Sequence, residues 1–118
     1  MTRKFVKTIL VIVTILLTLI VLNRRRIQFE YYSWNLSSTI VEVRETNAIR
    51  IIEMGPPAVP MLISKLDHRY IFETEYDIYC LEEITKVEPT YNRTHFSLES
   101  DAIPFWKKWW SENKGRYH

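Results

Sequence analysis

The segment Met54-Gly55-Pro56-Pro57-Ala58-Val59-Pro60 constrains the fold more than any other stretch of this chain. Ile51 and Ile52 lead into it as the apolar end of one helix, and Gly55 is the natural left-handed residue to stop that helix. Pro56 or Pro57 then suits the first turn of a new helix, where a missing N–H removes nothing. Val59, Leu62, Ile63 and Leu66 follow at i, i+3, i+4 and i+7, which draws one apolar stripe along that helix. Two short helices packed antiparallel are the outcome. Such punctuation defines an architecture and leaves the activity open.

The N-terminus obeys a different rule. Residues 8–22 contain no charge, no glycine and no proline. As a helix they would span about 22 Å, short of a hydrocarbon core near 30 Å, and Phe5 extends the run if the Lys7 amine snorkels. Arg3, Lys4 and Lys7 flank one end and Arg24, Arg25 and Arg26 the other. A cleaved signal would end in small residues, whereas Ile20-Val21-Leu22-Asn23 offers none, and no cysteine is present for lipoprotein processing. An uncleaved single-pass cell-membrane anchor through residues 5–22 is the expectation. The flanking charges, with the amino terminus counted, lean slightly towards a cytoplasmic N-terminus. Asn35-Leu36-Ser37 and Asn92-Arg93-Thr94 match the N-glycosylation acceptor pattern, which is common by chance.

The remainder divides by the same punctuation. Residues 27–35 alternate Ile27, Phe29 and Tyr31 with polar neighbours, as a strand would, but a lone strand has no partner. A helical extension of the anchor or an aromatic juxtamembrane segment is expected there. Ser37, Ser38 and Thr39 offer cap hydroxyls for a short helix to about Arg44, and Thr46 or Asn47 for a second one ending at Met54. A further helix, from about Glu75 to Lys86, is apolar over most of its girth through Tyr76, Ile78, Cys80, Leu81 and Ile84, so it belongs in the middle of the packing. The last runs from a Ser100 cap to about Asn113 and carries Phe105, Trp106, Trp109 and Trp110; tryptophans there are expected to close the end of a small core. Gly115 is read as its stop.

With these helices drawn, residues 51–66 resemble the core of a HEAT-like repeat, in which a helix ends at Ile-Gly or Met-Gly and an Ala-Val-Pro-x-Leu helix follows. The chain also resembles a small bacterial-type helical family of unknown function. Its pattern joins a Leu-Ser-Ser start, the Met-Gly-x-x-Ala-Val-Pro turn, a helix ending Ala-Leu-x-x-Ile-Thr-Gly-x-x-Pro and a closing Trp-x-x-Trp. Here these elements are Leu36-Ser37-Ser38, Met54 to Pro60, Cys80 to Thr85 with Pro89, and Trp106 to Trp109. The likeness covers roughly residues 36–113 and departs at Lys86, where the pattern has glycine, and in a Tyr-rich connection lacking the usual tryptophan. It implies an α-α helical module and transfers no catalytic residue; with the apolar run and the helix spacing, the expected fold is all-α, a small HEAT-like α-α module of four to five short helices after an N-terminal transmembrane helix. The expected division is 1–26 anchor, 27–35 juxtamembrane segment, 36–114 helical domain and 115–118 tail.

Chemistry is sparse. Two glycines exclude a phosphate-cradling loop, and neither H-E-x-x-H nor C-x-x-C occurs. Net charge of +2 gives no nucleic-acid footprint. Cys80 stands alone and reads as a small buried hydrophobe. His68, His95 and His118 are scattered in a connection, a loop and the terminus, and Glu73, Glu75, Asp77, Glu82 and Glu83 read as a wet acidic face. No catalytic residue, cofactor, metal or small-molecule substrate is expected. The leading expectation is a membrane-anchored, non-catalytic protein-interaction module. Tyr70, Tyr91 and Trp110 are the candidate contacts for an unidentified protein partner on a concave side between helices. The alternatives are an exported protein with a cleaved signal, or an accessory or inhibitory subunit of an enzyme.

Overall fold

The computed structural model describes residues 2–67, 71–92 and 98–117, with backbone alone at 71 and 72, and every regular element among them is helical. Six α-helices follow in order: α1 Arg3–Leu22, α2 Arg24–Asn35, α3 Val41–Met54, α4 Val59–Lys65, α5 Ile71–Thr85 and α6 Ile103–Asn113. A 3₁₀ turn, Pro56–Ala58, leads into α4, a π turn, Leu98–Ala102, leads into α6, and a 3₁₀ turn, Lys114–Arg116, follows it.

α1 is long and apolar enough to cross a membrane, and none of its residues is buried. Thr2 caps it by accepting the Phe5 N–H, so the helix begins before Lys7 and its 20 residues reach about 30 Å. The hydroxyls of Thr8, Thr14 and Thr18 each donate to the carbonyl four residues back, at 2.8–2.9 Å. No side-chain hydroxyl of α1 therefore needs water.

α2 begins two residues after α1 ends, across a break at Asn23, whose side-chain amide donates to the Leu19 carbonyl at 2.8 Å. The helical alternative for this segment is the one observed. Its apparent alternation splits at helical spacing instead: Phe29, Ser33 and Leu36 face inward, while Ile27, Tyr31 and Trp34 stay exposed. Phe29 and Leu36 are fully enclosed in the main core, so α2 packs on the helices that follow it.

α3 is a single helix where two had been expected. No glycine or proline interrupts residues 41–54, and the Asn47 amide, rather than capping a new helix, donates back to the Val43 carbonyl at 2.8 Å. Ser38 does serve the entry, its hydroxyl accepting the Ile40 N–H at 3.1 Å. Gly55 ends α3 as expected but not as a left-handed residue: at φ 70°, ψ −151° it occupies a region essentially reserved for glycine.

The α4 stripe is observed as drawn, with Val59, Leu62 and Leu66 buried and Ile63 partly so. α5 packs against both α3 and α4. Ile78, Cys80 and Leu81 are buried on it, and Asp77 is fully buried as well, so the acidic group is not uniformly a wet face. A helix covered on several sides leaves little solvent-facing arc, and Asp77 is partnered where it lies. The end of α5 explains the Lys86 departure. Lys86 itself takes the left-handed position, φ 58°, and its N–H donates to the Glu82 carbonyl at 3.0 Å. Ser100 lies inside the π turn rather than capping α6, which starts three residues later with Pro104 in its first turn. Trp106 is wholly enclosed, and Trp109 and Trp110 are half-buried. Gly115 sits in the closing 3₁₀ turn, not in a left-handed stop. Tyr117 packs on Trp109 and Trp110 at 5.7 and 5.9 Å between ring centroids, which holds the turn after α6 against that helix.

The two helix ends make opposite predictions. Gly55→Ala should destabilise by about 1–3 kcal/mol from backbone strain alone, since an added Cβ meets nothing within 4 Å. Lys86→Gly should stabilise by about 1 kcal/mol, as a left-handed lysine becomes a glycine and only an exposed Glu83 pair is lost. Thermal unfolding of the full chain in detergent should show the midpoint falling for the first and rising for the second.

Candidate functional site

A largely apolar concavity open to a partner lies between α3 and α5. Small side chains create it: Ala48 and Cys80 meet where the helices approach, with the Cys80 thiol 3.6 Å from the Ala48 carbonyl. Beside that contact lies a cleft of about 640 Å³ lined by Arg44, Glu45, Ala48, Ile49, Glu75, Tyr76 and Tyr79. Arg44 is held in place from two sides. Its guanidinium lies over the Tyr76 ring, 5.9 Å from the centroid, and donates to the Ser38 carbonyl at 2.8 Å. Ile49 and Tyr79 remain about half exposed, and Ile40 and Val41 add exposed apolar surface at the start of α3.

The residues singled out from the sequence fare differently. Tyr70 lies outside the described residues. Tyr91 is half-buried and engaged within the fold: its hydroxyl donates to Glu82 Oε1 at 2.8 Å and accepts the Trp106 indole N–H at 3.1 Å. Its ring meets Phe105 edge-on at 5.3 Å, and Phe105 meets Trp106 at the same distance. Tyr91 thus closes the hydrogen bond of the largest enclosed side chain, and its edge faces a second cleft beside Pro104, Lys108 and Trp109. Trp110 is half-buried against Tyr117. The α3–α5 cleft is lined by a different pair, Tyr76 and Tyr79, whose i, i+3 spacing was visible in the sequence but whose neighbours on α3 were not.

A third concavity, of about 350 Å³, lies where α1 gives way to α2. Leu22, Asn23, Arg25 and Arg26 form one wall, Pro56, Pro57, Pro60 and Met61 another, and Arg116 with Tyr117 closes it. Among the described residues no group of three or more His, Cys, Asp or Glu side chains is placed to hold a metal ion. His68, His95 and His118 lie outside the described residues. No protein-family model matches the sequence, no curated protein matches it, and no solved structure matches the fold.

Tyr91→Phe removes the acceptor of an indole N–H with no exposure to water. The substitution should cost about 1–3 kcal/mol, read as a lower unfolding midpoint in the full chain, with native helix content retained.

Proposed function

We propose that the protein is a single-pass, membrane-anchored helical interaction module with no catalysis, its α3–α4 pair a HEAT-like unit. The observation that carries the reading is α1: a helix of 20 residues, long and apolar enough to cross a membrane, uncharged from Thr8 to Leu22 and buried nowhere. Exposed to water, such a helix would leave apolar surface uncovered along its whole length, and lipid removes that penalty. The internally bonded threonines support the same setting, because a hydroxyl in hydrocarbon needs a partner on its own helix. The cleft between α3 and α5 supplies the contact surface for a protein partner, an enzyme among the candidates. It combines apolar anchors at Ile49 and Tyr79 with an ordered Arg44 and carboxylates at its rim.

Removal of α1 as an export signal is the second reading, favoured by its contributing nothing to the core. Alkaline carbonate treatment of source membranes should leave the full chain in the membrane fraction. A mature N-terminus beyond Asn23, or release into the supernatant, would replace the anchor by the signal. A photo-crosslinking side chain at position 79 of the intact protein should give a discrete protein adduct. Ile49→Asp should weaken that adduct roughly tenfold or more. A crosslinker at position 112, on the wet side of α6, should give none; equal labelling from both positions would remove the α3–α5 cleft as the contact surface.

A further inference from the structure

The cleft at the α1–α2 junction joins residues that the sequence keeps far apart. Arg25 and Arg26 follow the apolar helix directly, whereas Arg116 comes from the opposite end of the chain. What carries Arg116 there is the 3₁₀ turn after α6, pinned by the Tyr117 N–H to the Lys114 carbonyl at 3.1 Å and by the Tyr117 ring on Trp109 and Trp110. Three arginines therefore line one concavity. All three are exposed, and none is ion-paired with a carboxylate among the described residues. Like charges gathered without a counter-charge repel one another, and an anion seated between them relieves that repulsion.

The rest of the cleft says which anion. Pro56, Pro57 and Met61 present an apolar wall opposite the arginines, unsuited to a small hydrated ion and suited to the glycerol and first methylenes of an amphiphile. Leu22, the last residue of α1, lines the same cleft, so when α1 spans a bilayer the cleft opens at headgroup depth. The planar guanidinium fork matches phosphate oxygens two at a time. We infer that this cleft is a binding site for the phosphate of an anionic phospholipid headgroup. The inference rests on the reading of α1 as a membrane span. A volume of about 350 Å³ is at the small end of ligand clefts and accommodates a headgroup rather than a whole lipid.

Arg24 provides the discriminating control. It carries the same charge at the same boundary but does not line the cleft. Diffuse attraction to an anionic surface would value it as highly as Arg116; a built site would not. The full-length chain in neutral detergent micelles, titrated with phosphatidylglycerol, phosphatidylcholine or inorganic phosphate and read by native mass spectrometry, tests this. Phosphatidylglycerol should be retained roughly tenfold better than phosphatidylcholine. Arg26→Gln and Arg116→Gln should each lower its retention roughly fivefold, and Arg24→Gln by less than about twofold. Arg116→Lys, keeping the charge without the fork, should fall between wild type and Arg116→Gln. Helix content measured by circular dichroism should be the same in all four variants, because these side chains are exposed. Equal retention of the two lipids, equal loss from Arg24→Gln and Arg116→Gln, or displacement of lipid by inorganic phosphate would each overturn the site. Carbonate extraction separates the two levels. A chain that stays in the membrane yet shows one of those outcomes loses only the headgroup site, whereas a chain released from the membrane loses the anchor as well.

Discussion

The approach of α3 to α5 sets the rest of the packed unit. Ala48 and Cys80, both essentially without solvent exposure, let the two backbones come close enough for the thiol to reach a carbonyl across the gap. A longer side chain at either position would push α5 outward, and α5 is the helix on which α3, α4 and the lead-in to α6 all rest. The margin for such a displacement is small. Among the described residues the core cluster holds thirteen buried apolar side chains, three of them alanines, so each large member matters in a domain of this size. Trp106 is the largest of them. Its enclosure is acceptable only because Tyr91 takes its N–H, which ties the loop after α5 to α6.

Sequence pattern resolved what depends on neighbours three and four residues away. The α4 stripe, the stop at Gly55 and the central place of α5 were legible because helical periodicity and backbone permissiveness are local properties. The α2 segment resisted because Ile27, Phe29 and Tyr31 alternate over too short a window to tell period 2 from period 3.6. Only the burial of Phe29 and Leu36 against the partner helices decides between them. The expected break within α3 failed for a related reason: asparagine and threonine are cap residues only when the backbone leaves the helix, and nothing between Val41 and Met54 makes it leave.

The candidate site was less legible, and the cause is tertiary. Tyr91 and Tyr79 are both tyrosines beside apolar neighbours. One hydroxyl is taken up by Glu82 and Trp106, while the other ring stays half exposed above α3. No local signal separates them. The same holds for Asp77, whose acidic neighbours Glu75 and Glu83 are exposed or half exposed, while it alone turns fully into the packing. Arg116 is the sharpest case. Near a chain terminus it reads as tail, and only the stacking of Tyr117 on α6 returns it to the α1–α2 junction.

These placements separate two surfaces along one helix. Pro56 and Pro57, immediately beyond the end of α3, help to line the arginine cleft, whereas Arg44 and Ala48, one to three turns earlier, line the cleft shared with α5. At about 1.5 Å per residue, Arg44 lies about 15 Å along the axis from Met54. A headgroup held at the junction therefore leaves Ile49 and Tyr79 uncovered, and a partner seated on α5 leaves the arginines free. The connection between them is α3 itself, uninterrupted from Val41 to Met54, whose continuity turns two local clefts into the ends of one rigid element. A break at Thr46 or Asn47 would have uncoupled them, and with neither glycine nor proline between Val41 and Met54 the backbone has no cause to leave the helix there.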